Sequence, residues 1–181
     1  LIPGSGVDTD ILRPLPEPDG PITIGFIGRL LDDKGIRTLI AAHEILTRRG
    51  EAINLHIGGE VDPANPASIP VAEIESWKKR PGINVLGHVG DILKFWASAH
   101  IAVLPSRREG LPKSLLEAAA CARPIVATDV PGCREIARGG VNALLVPPDD
   151  AQALADAIIL LAKDKRLRAT FGEAGRRLVE K

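Results

Sequence analysis

Glu109 and Glu117 are separated by seven residues in the stretch Glu109-Gly110-Leu111-Pro112-Lys113-Ser114-Leu115-Leu116-Glu117. Ahead of it, Leu104-Pro105-Ser106-Arg107-Arg108 reads as a strand running into a tight turn. Pro112 suits the first position of a helix, where its missing N–H would find no partner anyway. A helix start of this kind attracts anions through unpaired N–H groups and the positive end of the helix dipole. Glu109, just before it, can accept hydrogen bonds from hydroxyls. Phosphate and polyol recognition side by side fit a nucleotide sugar. Spacing alone leaves two other assignments open. The two glutamates could be the acid and nucleophile of a glycosidase, which needs carboxyls about 5 to 10 Å apart, or Glu109 could cap the helix with Glu117 exposed along it.

A second constellation follows the first apolar run, in Gly28-Arg29-Leu30-Leu31-Asp32-Asp33-Lys34-Gly35. Here Asp33 is expected as a helix N-cap and Lys34 in the first helical turn. Arg29 offers a planar fork and Lys34 a point charge, and both could reach a diphosphate; surface charges on a loop are the plain alternative. Gly25 and Gly28 are spaced wrongly for G-x-G-x-x-G, and no G-x-x-x-x-G-K-[ST] loop occurs, which disfavours nicotinamide and P-loop chemistry. Asp8-Thr9-Asp10 has the D-x-D form that can hold a metal on a nucleotide diphosphate. It lies among prolines before the first strand, though, and reads better as an Asx-type turn. His43 and His56 fall on an expected helix face and strand and read as interior groups. His88 and Val89, in Leu86-Gly87-His88-Val89-Gly90, lie where backbone groups could meet a nucleobase, with the His88 side chain inessential.

The elements that must position these residues are marked by apolar runs at Ile22 to Ile27, Ile53 to Ile57, Asn84 to Leu86, Ile101 to Leu104, Pro124 to Ala127 and Ala143 to Val146. They read as six strands. Helical stripes lie between and after them: Ile36, Leu39, Ile40, His43 and Leu46; Leu115, Ala118 and Ala119; Leu154, Ile158 and Leu161. Continuously apolar strands alternating with amphipathic helices predict an α/β fold, a doubly wound Rossmann-like parallel sheet of about six strands with helices on both faces. Ligands in such sheets gather beyond the carboxyl ends of the strands, after Ile27, Leu104 and Ala127. Gly59 to Pro70 reads as a loop.

With 181 residues, 45% hydrophobic and 25% charged, the chain suits one domain over 1–181. Its 23 Lys and Arg balance 23 Asp and Glu, so no basic excess points to nucleic acid. Cys121 and Cys133 fit neither a disulfide framework nor metal spacing, which suggests a reducing cytoplasm. No secretory segment or apolar run of about 18 residues occurs. The absence of Met, the opening Leu1-Ile2-Pro3 and the helical-looking stretch from Arg176 to Lys181 suggest a piece of a longer protein.

Taken together, Gly28-Arg29-Leu30 with Lys34-Gly35, Leu86-Gly87, Pro105-Ser106, Glu109-Gly110-Leu111-Pro112 to Glu117-Ala118, Arg123-Pro124-Ile125-Val126-Ala127-Thr128-Asp129-Val130-Pro131-Gly132 and Leu145-Val146-Pro147-Pro148-Asp149-Asp150 resemble the carboxy-terminal half of retaining glycosyltransferases of family 4. The resemblance runs from Ile2-Pro3 through the last helices. It implies a GT-B architecture, with this half holding a nucleotide-sugar donor, a UDP-sugar being expected, and a missing amino-terminal half holding a saccharide or lipid-linked saccharide acceptor. It implies that Arg29 and Lys34 bind the donor diphosphate and stabilise the charge growing on it. Glu109 would accept from sugar hydroxyls and Glu117 from ribose hydroxyls, and the backbone at Gly28, His88, Val89, Gly110, Leu111 and Lys113 would approach the donor. No metal or other cofactor is implied. The wording around Glu109 is most similar to members that build bacterial lipid-linked saccharides, which implies cytoplasmic chemistry with peripheral contact at the inner face of the membrane open for the full-length protein. Ala122 departs from the family, where Gly is usual. A GT-B nucleotide-sugar 2-epimerase and a non-catalytic nucleotide-binding module share the architecture and stay open.

Overall fold

The six apolar runs become strands within one residue of the expected limits: β1 Thr23–Ile27, β2 Asn54–Gly58, β3 Ile83–Gly87, β4 Ile101–Leu104, β5 Ile125–Thr128 and β6 Ala143–Val146. The computed structural model describes residues 6–180; Ile2-Pro3, on which part of the resemblance rests, and Lys181 lie outside the described residues. All six strands pair in parallel in the order β3-β2-β1-β4-β5-β6. The chain therefore winds outward from β1 in one direction and, after crossing back, from β4 in the other. With right-handed crossovers this puts helices on both faces of the sheet, the doubly wound arrangement expected. β4 and β5 are wholly buried, whereas edge strand β3 exposes Asn84 and Leu86.

The helical stripes are likewise where periodicity puts them. In α1 (Ile36–Arg48) the residues Ile36, Leu39, Ile40, His43 and Leu46 are all buried, and α1 packs against α6 (Ala151–Lys163). α4 (Lys113–Ala120) buries Leu115, Ala118 and Ala119 against α7 (Lys165–Val179). α2 (Val71–Lys78), as long as α4, buries only Ile74 and Trp77, and α3 (Ile92–Ala97) and α5 (Pro131–Arg134) have too few turns for a stripe to show in sequence. Residues 59–70 form the expected loop, tied to the loop after β1 by Leu30 N–H to Glu60 O (3.0 Å), Ile69 N–H to Leu30 O (2.8 Å) and Asp32 N–H to Ala67 O (2.8 Å). No helix among the described residues is long and apolar enough to cross a membrane.

Two local expectations are corrected. Asp32–Lys34 is a 3₁₀ turn and α1 begins only at Ile36, so Asp33 is not a helix N-cap and Lys34 closes the 3₁₀ turn instead of opening α1. The break is Gly35, at φ 69° in the left-handed region; a Cβ there would lie 1.9 Å from Pro105 O. Only glycine allows both the turn and that approach. Pro112 stands one residue earlier than expected, at the N-cap of α4 with ψ 105°, its carbonyl accepting from Leu115 N–H at 3.0 Å.

Three arginines fasten the leading segment to the body. From α7, Arg176 donates to Thr9 O (2.9 Å), Leu12 O (2.5 Å) and Ala120 O (2.9 Å), and Arg168 pairs with Glu17 at 2.6 Å. Arg123 is 1% exposed and donates to Trp96 O (2.9 Å) and Pro16 O (2.8 Å). Its neighbour Ala122 takes a left-handed φ of 56°. Asp8 forms the expected turn, Oδ1 accepting from Asp10 N–H (2.9 Å) and Ile11 N–H (3.1 Å). His43 is buried and His56 only half-buried: His43 Nε2 meets Ile53 O at 2.9 Å and His56 Nδ1 meets Ser98 Oγ at 3.2 Å. His100 is buried too, its Nδ1 accepting from Thr23 N–H at 3.0 Å. Cys121 and Cys133 are buried free thiols, pushed up to about 11 by burial.

Candidate functional site

The switch point of the sheet lies between β1 and β4, and the loops leaving these strands carry the two constellations. They are stitched together. Ser106 Oγ donates to Asp33 O (3.1 Å), Arg107 N–H donates to Asp33 O (2.8 Å), and Thr128 Oγ1 at the end of β5 donates to Ser106 O. Beneath the second loop lies Gly132, where a Cβ would fall 2.2 Å from Glu109 O and 2.3 Å from Gly110 O. The side chains of Glu109 and Lys34 are thus presented from backbones held at close quarters.

Between the loops opens a pocket of about 320 Å³ lined by Gly28, Arg29, Lys34, Glu109, Leu111, Lys113 and Glu117, with Ile27, Ile92, Leu104, Pro112 and Ser114. Gly110 lies outside this lining. His88 and Val89 line an adjoining depression of about 460 Å³ that shares Ile27, Gly28 and Arg29 with the pocket. Seven of the ten expected residues share one pocket and two more border it. The amides of Lys113 and Ser114 precede the first intrahelical bond of α4, so the pocket faces the donor end of that helix.

The charges are not equivalent. Lys34 Nζ donates to Glu109 Oε1 at 2.8 Å, with side chains only 18% and 9% exposed. Arg29 is 63% exposed and lies 3.6 Å from Asp62 at the pocket edge. Glu117 is buried, not exposed along α4; burial pushes its carboxyl above the ordinary range, while Lys113 at 3.6 Å pulls the other way. The exposed His88 ring is 3.7 Å from Glu60. The pocket thus gathers two cations, a helix start and two sheltered carboxylates around one space.

Sequence reasoning missed Gly132 as the floor of the Glu109 loop and Gly35 as the contact with Pro105. The signal for Gly132 is its place in Val130-Pro131-Gly132, directly after a strand at the ligand edge. It missed the Lys34–Glu109 pair altogether, since nothing in two segments 75 residues apart announces that they meet.

The profile of the family described as Glycosyl transferases group 1 matches residues 21–164. The chain belongs to this family. As a glycosyl transferases group 1 domain it is 32% identical over 157 residues to the capsular polysaccharide biosynthesis glycosyltransferase CapM of Staphylococcus aureus, covering 87% of this chain and 41% of that protein. It is also 32% identical over 153 residues to the N,N'-diacetylbacillosaminyl-diphospho-undecaprenol alpha-1,3-N-acetylgalactosaminyltransferase of Campylobacter jejuni, covering 84% and 38%. The chain spans about two fifths of the length of these curated relatives. Among solved structures it is similar to the C-terminal domain of the glycosyl transferase group 1 family protein LpcC from Francisella tularensis, at TM-score 0.81 and 26% identity over 97% of both chains. A Staphylococcus aureus TarM variant in complex with fondaparinux, alpha-GlcNAc-glycerol and UDP matches at TM-score 0.77 and 25% identity, over 91% of this chain and 34% of that one. The six-stranded parallel sheet with helices on both faces matches the Rossmann-like half of the GT-B fold.

Proposed function

We propose that this chain is the carboxy-terminal, donor-binding half of a retaining glycosyltransferase of family 4, a single domain over residues 1–181. It binds a nucleoside-diphosphate sugar, a UDP-sugar first, and the remainder of the full-length protein supplies the acceptor. The observation that carries this reading is the switch-point pocket, in which Arg29, Lys34, the start of α4, Glu109 and Glu117 face one space. A nucleotide sugar needs anion and hydroxyl recognition at that spacing.

In this reading the diphosphate lies against Arg29, Lys34 and the amides at the start of α4. The base extends toward His88 and Val89, Glu117 accepts from the ribose and Glu109 from the sugar. As the glycosidic bond breaks, negative charge grows on the departing diphosphate. Cations already fixed there stabilise the transition state more than the bound donor, which is how such groups raise rate. The acceptor hydroxyl attacks from the face the diphosphate leaves, and no metal ion takes part. Relatives named for capsular polysaccharide synthesis and for an undecaprenol-linked acceptor support a role in bacterial polysaccharide or lipid-linked saccharide assembly. This chemistry belongs in the cytoplasm, with any contact to the inner face of the membrane made by the rest of the protein.

The test is calorimetric titration of the chain with UDP, GDP, ADP and NAD, with and without EDTA, and again for Glu117→Ala. The expected result is saturable binding of one nucleoside diphosphate, UDP first, insensitive to EDTA and weakened by the substitution. Binding that needs a metal, or that prefers NAD, would overturn the reading.

A further inference from the structure

Lys34 and Glu109 come from loops 75 residues apart and join at the pocket they both line, Nζ 2.8 Å from Oε1. The two loops approach closely: Lys34 is followed by Gly35, packed on Pro105 O, and Glu109 O lies where a Cβ on Gly132 would be 2.2 Å away. The smallest rearrangement that opens the pair is a turn of the two side chains. Resting on the donor-half reading, an arriving diphosphate draws on the ammonium charge that now neutralises Glu109. A carboxylate 9% exposed that loses its counter-charge is costly unless hydrogen-bond donors replace it. A bare nucleoside diphosphate brings negative charge and no donors to that point. A nucleotide sugar brings the same charge together with hydroxyls.

We propose that the Lys34–Glu109 pair sets specificity for a sugar-bearing nucleoside diphosphate over the bare one: the diphosphate takes Lys34 from Glu109, and the sugar hydroxyls take the place of the ammonium at the carboxylate. Both ligands break the pair, but only the donor refills it. The spent nucleoside diphosphate, which has lost its hydroxyls to the acceptor, is the weaker ligand and leaves the site open for the next donor.

The experiment is calorimetry of the chain with UDP, UDP-glucose and UDP-N-acetylglucosamine, comparing the parent with Glu109→Gln, Lys34→Gln and the double variant, each checked by its melting temperature. Glu109→Gln keeps the shape and removes the charge; where it does not fold, Glu109→Ala removes the same charge with a smaller side chain. Glu109→Gln is expected to tighten UDP about tenfold (~1.4 kcal/mol) and to shrink the advantage of the UDP-sugars over UDP by at least that factor. In the Lys34→Gln background the same change should move UDP affinity by less than about twofold, the usual additivity error. An equal gain in both backgrounds would mean simple repulsion between Glu109 and phosphate and would overturn the exchange. UDP affinity unchanged or lowered by Glu109→Gln, with the parent binding UDP, would overturn it alone and leave the donor-half reading standing. A parent chain that binds no nucleoside diphosphate removes that reading, and the exchange with it.

Discussion

At the scale of single residues the site holds charges of unequal readiness. Glu117 is a carboxylate whose ionised form burial disfavours, so its pKa is raised, with Lys113 only partly offsetting this. In the donor-half reading only the ionised form offers both oxygens to the ribose hydroxyls. Affinity for UDP-glucose, whose esterified diphosphate does not titrate near neutrality, should therefore hold steady at neutral pH and weaken as the pH falls through that raised value, starting above the ordinary 4.5. Titrations at a series of pH values should show this slope, and Glu117→Gln should abolish it. Arg29 and Lys34 each stand to give a charge-assisted contact of about 1.5 to 3 kcal/mol, so alanine at either should cost about one to two decades in UDP affinity. Unchanged isotherms for both variants would remove them from the diphosphate. Residue type and position along the chain were enough to single out these groups, because glutamates around a helix start and cations after a strand have few uses together. Their partnerships were not legible: Glu117 reads as easily as a solvated helical residue, and whether it is buried depends on what α4 packs against.

At the scale of elements the strands were the readable part. β4 and β5 are buried on every residue, and their sequences are apolar throughout save Thr128 at the end of β5, whereas edge strand β3 exposes alternate positions and shows a shorter run. Loop geometry was not readable, because it depends on backbone approaches between distant segments. Gly132 is the clearest case. Any side chain there would push the Glu109–Gly110 backbone away by on the order of 1 Å, a displacement that costs about a hundredfold where groups must be positioned for reaction. Gly132→Ala should thus cut transfer by the full-length enzyme about that much and remove most of the sugar's share of donor affinity, while bare UDP still binds; equal losses for UDP and UDP-sugar would show general damage instead. Ala122 makes the opposite case. At φ 56° it bears a left-handed conformation that costs a non-glycine residue about 1 to 2 kcal/mol, part of which glycine gives back through the freer unfolded chain. Ala122→Gly should stabilise by about 0.5 to 1 kcal/mol, a rise in melting temperature of about 2 °C.

At the scale of the whole molecule, two buried histidines and one half-buried one should set the acid limit of stability. Burial lowers the pKa of His43, His56 and His100 below 6.5, and His100 needs its unprotonated Nδ1 to accept from Thr23. A histidine lowered on folding contributes fully above its unfolded pKa and loses that contribution as the pH drops below it. Melting temperature should be level from about pH 8 to 7 and decline once the pH passes below about 6.5. That decline precedes the loss of the Arg-paired carboxylates Asp32 and Asp129, which are held below their ordinary range by Arg107 and Arg134 and so fail only in stronger acid. A melting temperature flat down to about pH 5 would contradict it. The arginines of α7 carry a different consequence, one of timing. Arg176 reaches Leu12 O and Thr9 O across 164 and 167 residues of sequence, and contacts that distant form late and slowly. On a ribosome the leading segment has no anchor from α7 until nearly the last residue of this stretch has emerged. Residues 9–12 are thus among the first of this stretch to be made and the last to be fastened.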